Sequence, residues 1–535
     1  MRVGSISFRR LDSSLIESLL HPEAYPHPVE SIELIETHIS WVILTGQFAY
    51  KIKKPIKLGF LDFRELASRL FYCEEEVRLN RPWAPDIYLG VMPISIQRGQ
   101  PLVGGDGEAI EYAVRMRQFD QARRLDAELR ADKLSASDMD ELAGKIAVQH
   151  LSAKIIEADA RDEKLAHIER DIWDNLTALE GLLAKQKLRT LRQWTGTQLD
   201  RLEPILRKRI EDGFVRECHG DLHLSNLVRL PTGITAFDCI EFSDDLRNID
   251  VMCDIAFLVM DLVSRHRPDL AYRVLNRYLE ITGDYDSMQV FTLYFVYRCL
   301  VRAKVAAIRS QERLGDKHAK NDLSRMQIYC EMALDWCQHR APTLIVMHGL
   351  SASGKSWLSS QLVSTMSAVR IRSDVERKRL FSLDESSDSG SPVAQGIYSE
   401  AANKAVYRQI LDLAATILRA GHDVILDAAF LMSSERACAR DIATECGALF
   451  VIVHADAPES VLRDRIRKRV ADLAEASEAD LRVLEHQVEN MEPLTKDERR
   501  AAVYWDTGGT TGIPDLVRLL AERQSRPRSV PSHAG

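Results

Sequence analysis

The sequence predicts two folds in series. An α+β region with a small β-rich lobe and a larger helical lobe covers about residues 1–340, and an α/β domain with a parallel sheet covers about 341–522. Three changes of pattern carry this reading. Short β-type runs dominate residues 30–120, and apolar residues at three- and four-residue spacing dominate 121–340. After Pro342, apolar strands alternate with helical segments, the signature of a parallel sheet covered by helices. At 535 residues the chain is also too long for a single core.

The elements follow in order. ETHISWVILTG, FAYKIKK, IYLGVMPISI and AIEYAVRMRQF read as strands, with ELASRLFYCEEEVRLNR as a helix among them. The lobes divide at about residue 120, the small one beginning near residue 30. The helical stretch that follows is interrupted by ECHGDLHLSNLVRLPTGITAFDCIEF, which predicts a loop, a short strand, a turn at Pro231–Gly233 and another strand. The boundary falls in HRAPT, residues 339–343, where a proline ends a helix just before a buried strand. Beyond it TLIVMHG, SAVRIRSD, DVILDAAF, LFVIVHAD and AAVYWDT read as strands. SLDESSDSGSP, 382–392, is expected to be a mobile polar loop, and 523–535 a disordered tail.

Composition excludes several classes. A formal charge of −8 supplies no general basic field, so generic nucleic-acid binding is not expected. Nine cysteines are scattered singly, without a CxxC pair, which fits reduced thiols better than a disulfide frame or a zinc site. The first twenty residues lack an apolar signal region, and the most apolar internal runs fall well short of the ~20 residues that cross a bilayer. A soluble cytoplasmic protein with no membrane partner is expected.

The strand TLIVMHG runs directly into GLSASGKS: Gly349, Leu350, Ser351, Ala352, Ser353, Gly354, Lys355 and Ser356. The glycines let backbone N–H groups turn inward around phosphates, and a helix starting near Lys355 aims its positive end at them. Lys355 adds charge at the β/γ oxygens, and the Ser356 hydroxyl is suited to ligate Mg²⁺. This is a P-loop, with ATP and Mg²⁺ as the expected cofactors. Asp427 closes the strand VILD, where a carboxylate can hold the metal or its waters. Asp374 closes the strand before it, with Arg377 one turn later. Asp374 can take a proton from an acceptor hydroxyl and Arg377 can clamp an anion, the alternative being a plain helix N-cap at Asp374. In VLRDRIRKRV, Arg463, Arg465, Arg467 and Arg469 lie on one helix; Arg465 and Arg469 are the lid candidates, and at least two of the four are expected to be solvated face.

A second constellation stands upstream. In HGDLHLSNL, His219, Asp221 and Asn226 form H-x-D-x-x-x-x-N, and Asp238 follows in TAFDCIEF, which reads as a strand. Phosphoryl transfer of the kinase type needs these pieces: one carboxylate at the acceptor hydroxyl, then an amide and a second carboxylate on metal. The alternative is a structural or metal loop using His219 and His223.

The C-terminal residues resemble the small P-loop kinases that include polynucleotide 5′-hydroxyl kinases, zeta-toxin-like kinases and gluconate-kinase-like enzymes, over about 343–520. That resemblance implies transfer of phosphate to a hydroxyl. HGDLHLSNL and its following aspartate resemble the aminoglycoside-phosphotransferase and choline-kinase branch of the protein-kinase-like fold, over about 30–340. On that resemblance Asp221 is the catalytic base, Asn226 and Asp238 bind Mg²⁺, His219 braces the loop, and Asp254 hydrogen-bonds back to it from a helix. The family's ATP lysine would be Lys51, ahead of Lys53, and its carboxylate partner Glu76, ahead of Glu75. No Gly-rich loop precedes that lysine; only Gly46 stands there. The whole chain resembles a bacterial family in which an aminoglycoside-phosphotransferase-like domain is fused to a P-loop kinase. The implied function is a bifunctional phosphotransferase whose acceptor is a small molecule or a nucleic-acid end. The alternatives are one active P-loop kinase regulated by a nucleotide-sensing domain, or an ATP-driven switch. The helices after residue 121 show mixed charge and no acidic cluster of the kind a polycationic antibiotic needs.

Overall fold

A computed structural model describes residues 14–58, 61–157, 161–312, 317–385, 387, 395–469, 480–507 and 513–524. Most of the segment 382–392 and all but the first two residues of the tail 523–535 lie outside the described residues. Packing divides the chain into two compact units, one of residues 1–170 and 207–261, the other of 171–206 and 262–535.

The first unit holds a six-stranded sheet. Its strands are β1 (Glu33–Glu36), β2 (Ser40–Leu44), β3 (Phe48–Lys53), β6 (Tyr88–Gln97), β7 (Gln100–Val103) and β8 (Ala109–Arg117), with the short pair β4 (Lys57–Leu58) and β5 (Leu61–Asp62) lying apart. The order is β1-β2-β3-β8-β6-β7, and every neighbouring pair is antiparallel. β3 has neighbours on both sides, and all six of its residues are buried. Strand period two then puts Lys51 and Lys53 on one face. The helix Leu66–Asn80 forms as predicted and packs on β8 and β6. Sequence reading missed β7. Its partner β6 turns back through Arg98 and Gly99, both at positive φ (50° and 80°), which is the two-residue hairpin geometry that matches strand twist. An arginine at the first turn position and Pro101 in the strand conceal it.

The interruption in the helical stretch folds as β9 (Val215–Glu217), a loop over 218–226, β10 (Leu227–Leu230) and β11 (Gly233–Ala236), with β12 (Asn248–Asp250) beyond it. β10 and β11 form a hairpin closed through Pro231 and Thr232, as predicted. Asp238 differs from expectation. It lies two residues past the end of β11 at φ 66°, so it caps a left-handed bend and does not sit on a strand.

The second unit contains the all-parallel sheet: β13 (Thr343–His348), β14 (Val369–Arg372), β15 (Val424–Asp427), β16 (Leu449–Asp456) and β17 (Ala502–Asp506), ordered β14-β15-β13-β16-β17. All five predicted strands are present. β13 is buried throughout, as a strand covered on both faces must be. β14 is an edge strand, and its free edge is covered by the helix Pro268–Thr282. The Asn276 amide donates to the carbonyl of Ala368 at 3.0 Å and accepts the Arg370 N–H at 2.6 Å, imitating a neighbouring strand. Packing thus assigns residues 262–340 to the same unit as the parallel sheet, whereas the change of sequence pattern lies at 340.

The helix Ser433–Glu445 packs on β16 and β13, and its Arg436 is fully buried. It donates to Glu498 at 2.8 Å and to the carbonyls of Phe430 and Leu431 at 3.0 and 2.9 Å. Arg436→Ala strands the Glu498 carboxylate and should destabilise the protein by about 3–5 kcal/mol, read as a lowered denaturant midpoint for the second unit.

Candidate active sites

In the second unit the P-loop joins β13 to the helix Lys355–Met366. Gly349 has φ 141°, and a Cβ there would lie 2.3 Å from the Ala455 carbonyl oxygen. Gly354 has φ 94° and faces Thr507. Both positions therefore require glycine. Lys355 folds over its own loop, donating to the carbonyls of Gly349 (2.9 Å) and Leu350 (2.8 Å). Ser356 donates to Asp427 Oδ1 at 3.3 Å, and Ser359 donates to Asp427 Oδ2 at 2.9 Å. The predicted pair Ser356 and Asp427 is thus brought together, and its donors are hard oxygens of the kind Mg²⁺ takes.

Lys355, Ser356, Asp374, Arg377, Asp427 and Arg465 line one cleft with a volume of about 2140 Å³. Asp374 differs from expectation in placement. β14 ends at Arg372, so Asp374 is the second residue of the helix Ser373–Leu380 and is neither a strand end nor its N-cap. Arg377 is buried. It donates to the Ile397 carbonyl at 2.7 Å and lies 4.9 Å from the centre of the Tyr398 ring, leaving part of its guanidinium for the cleft. Arg465 donates to the Ala352 carbonyl (3.1 Å) and to Thr507 (3.0 and 2.9 Å), against the P-loop. Arg463 pairs with Glu459 and Glu485, and Arg467 with Asp464, which makes them the solvated face. The side chain of Arg469 lies outside the described residues.

Sequence reading missed three residues of this cleft. Gln487 accepts the Ser351 N–H at 2.7 Å, Thr507 donates to the Ser353 carbonyl at 2.6 Å, and Glu435 lines the cleft. Burial raises the Glu435 carboxyl to about 7. Gln487 and Glu435 sit on helices with no motif. Thr507 directly follows the last strand of the sheet, a position the sequence pattern does mark.

Beneath the P-loop, His348 and His454 on adjacent strands touch through their Nδ1 atoms at 2.6 Å. Burial, then the neighbouring His454, lowers His348 to about 3.

In the first unit Lys51 Nζ donates to Glu76 Oε1 at 2.8 Å and to Asp238 Oδ1 at 2.6 Å. Glu76 is fully buried, and its other oxygen accepts from Lys53 at 2.8 Å. Lys53 also pairs with the buried Glu241, a residue sequence reading did not single out. Glu75 instead pairs with the exposed Arg78. Burial opposes the charge on Glu76, but Lys51 and Lys53 outweigh it and hold the carboxyl at about 2. Burial likewise opposes the charge on Lys51, and Asp238 and Glu76 overcome it, raising its pKa.

Asn226 donates to Asp221 Oδ2 at 3.0 Å and to the Asp221 carbonyl at 3.1 Å. His219 is fully buried; its Nδ1 accepts the Asp221 N–H (3.3 Å), so Nε2 carries the proton and donates to the Phe237 carbonyl (2.9 Å). Both His219 nitrogens are occupied as a brace, and neither is free for a metal. Asp254 accepts the N–H groups of His219 (3.0 Å) and Gly220 (3.1 Å), fixing the loop from the helix Val251–Ser264. The partly exposed carboxylates of Asp221 and Asp238, with the Asn226 amide, form an oxygen set that fits Mg²⁺.

Residues 101–291 match the family model described as Phosphotransferase enzyme family, and residues 344–494 match one described as AAA domain. Two kinase-type domains on one chain define a nucleotide-binding phosphotransferase. Uncharacterized protein Rv2004c of Mycobacterium tuberculosis and Uncharacterized protein Mb2027c of Mycobacterium bovis are each 30% identical to this chain over 458 residues, 84% of this chain and 89% of theirs. The chain belongs to that family, in which an aminoglycoside-phosphotransferase-like domain is fused to a P-loop kinase domain. Similar solved structures include a gluconokinase from Sinorhizobium meliloti (20% identical, 35% of this chain and 93% of that one, TM-score 0.25). The Mycobacterium tuberculosis APS kinase CysC in complex with AMPPNP and APS is similar too (19%, 35% and 99%, TM-score 0.26). A third is the Plasmodium vivax ethanolamine kinase (13%, 58% and 85%, TM-score 0.35). No helix among the described residues is long and apolar enough to cross a membrane.

Two predictions follow, one from the buried lysines and one from the buried, neutral His348. Lys53→Met removes the ammonium that faces Glu241 and should cost about 3–5 kcal/mol in denaturant unfolding. Lys51→Met leaves Glu76 paired with Lys53 and strands only the partly exposed Asp238, so it should cost less stability in the same measurement. The second concerns His348. Its folded pKa lies below the unfolded value of 6.5, so the unfolded chain takes the proton first. Its contribution to stability is complete above about pH 6.5 and is lost as pH falls towards 3. Removing that proton uptake in His348→Gln should flatten the stability–pH slope between pH 4 and 6 by up to about 1.4 kcal/mol per pH unit.

Proposed function

We propose that this protein is an ATP- and Mg²⁺-dependent kinase with two phosphotransferase sites, each acting on a hydroxyl acceptor. What supports this reading is that each unit separately has a lysine, a partly exposed aspartate and a further set of oxygen donors suited to these roles. In the first unit Lys51, oriented by Glu76, binds the nucleotide phosphates. Asp221, held by Asn226 and by the loop that His219 and Asp254 brace, accepts the acceptor's hydroxyl proton. In the second, the P-loop amides and Lys355 bind the phosphates, Asp374 accepts the proton, and Arg377 and Arg465 bind anionic groups in the cleft. At either site the acceptor oxygen bonds to the γ-phosphorus as the bond to the β-phosphate oxygen breaks, so ADP leaves and the proton rests on the aspartate. Asn226 with Asp238, and Ser356 with Asp427, would hold Mg²⁺, which when bound neutralises phosphate charge.

The acceptor is a small molecule or a nucleic-acid end. At the P-loop site its choice falls to side chains such as Tyr407 and Glu435 lining the cleft, and the net charge of −8 speaks against binding nucleic acid generally. The test follows ATP consumption and phosphorylated product in the full chain with pooled metabolites and 5′-hydroxyl oligonucleotides. Lys355→Ala should reduce one acceptor-dependent activity by about 10²–10³-fold. Asp221→Ala should reduce a different one by about 10²–10⁴-fold. If Asp221→Ala leaves every acceptor-dependent turnover intact, only the P-loop site is an enzyme and the first unit is a nucleotide sensor. If no acceptor raises turnover above basal hydrolysis, the chain is an ATP-driven switch.

A further inference from the structure

The helix Pro268–Thr282 belongs by sequence to the segment matched as a phosphotransferase, residues 101–291, and by packing to the P-loop unit. Its Glu280 is buried and accepts from Arg370 Nη2 at 2.7 Å. Arg370 is itself buried on β14, and its other terminal nitrogen donates to the Ser356 carbonyl and to Ser359 Oγ, both at 3.4 Å. Ser359 and Ser356 then donate to the two oxygens of Asp427. Arg372, on the same face of the strand two residues on, lies 3.9 Å from the second Glu280 oxygen and lines the cleft. Arg379 donates to the Glu280 carbonyl, and Arg277 contacts its carboxylate at 3.4 Å.

A buried arginine with no carboxylate beside it could not be held against Ser356 and Ser359, because its charge would be drawn to water. The anion that fixes it comes from the kinase-like half of the sequence. We propose that Glu280, acting through Arg370, is a positioning residue of the P-loop metal site, setting the two serines on Asp427 so that this carboxylate presents its oxygens to Mg²⁺. The proposal rests on the reading of Ser356 and Asp427 as that site. It gives the P-loop domain a dependence on a helix that lies outside its own sequence pattern. It also makes Glu280, Arg370 and Ser359 a chain in which each link fixes the next.

The test is equilibrium binding, so it needs no acceptor. ADP binding to the full chain is measured by calorimetry with and without Mg²⁺, taking the component that is lost in Lys355→Ala. In the wild type Mg²⁺ should tighten this component. In Glu280→Gln and Arg370→Met the tightening should fall by about tenfold or more, the scale on which outer partners of metal ligands act, while ADP affinity without Mg²⁺ changes little. Asn276→Ala removes the strand-edge hydrogen bonds and leaves Glu280 on Arg370. It should lower the melting temperature and keep the Mg²⁺ effect. An unchanged Mg²⁺ effect in Glu280→Gln, or an equal loss in Asn276→Ala, overturns the proposal and leaves Glu280 a structural residue. If Glu280→Gln or Arg370→Met does not fold, Glu280→Asp and Arg370→Lys carry the same comparison. A wild type whose Lys355-dependent binding ignores Mg²⁺ instead overturns the reading of Ser356 and Asp427, and the proposal falls with it.

Discussion

Glu76 is excluded from solvent, and each of its two oxygens meets a different lysine. Water cannot stabilise its charge there, so Lys51 and Lys53 must lie on one face of β3 and the helix Leu66–Asn80 must present the carboxylate to both. That requirement reaches outward. Lys53 brings Glu241 inside, and Lys51 reaches Asp238, beyond the end of a hairpin almost two hundred residues along the chain. These side chains therefore hold one another in place. The second unit repeats the physics with different partners: Glu280 holds Arg370, and Glu498 holds Arg436. Such pairs add little to stability relative to apolar packing of the same volume, but losing one member is severe. Geometry at both sites is thereby made sensitive to single charges.

Much of this was legible in the sequence because it is local. An apolar run ending in GLSASGKS needs only its own backbone to make a phosphate-binding loop, and HGDLHLSNL brings the Asp221 carboxylate and the Asn226 amide together within one short loop. Glu76 meets Lys51 and Glu75 meets Arg78, since the two residues face different sides of one helix. Legibility failed where a residue's partner is far away. Glu241, Gln487 and Glu280 look like ordinary surface residues until the fold brings Lys53, Ser351 and Arg370 to them. It failed also where backbone conformation overrode pattern. Asp238 follows β-type residues but turns left-handed past the strand, and β7 is hidden behind a hairpin turn whose first residue is an arginine.

The change of pattern at residue 340 marks where helices give way to strands, and it is a true compositional boundary. Packing follows a different rule, namely which element satisfies which edge. The helix Pro268–Thr282 is counted with the parallel sheet because Asn276 and Glu280 supply what β14 lacks.

The covered edge of β14 bears on how such a chain can be inherited or cut. A strand edge with free N–H and C=O groups is a template for pairing with other chains, and natural proteins keep such edges hidden. A fragment beginning at Pro342 would carry the whole P-loop motif and every parallel strand, yet it would leave the Ala368 carbonyl and the Arg370 N–H without Asn276. Gene fission at that point would yield a self-associating product in place of a free-standing module. Selection against aggregation would therefore keep the two halves in one reading frame, whether or not their chemistry is linked.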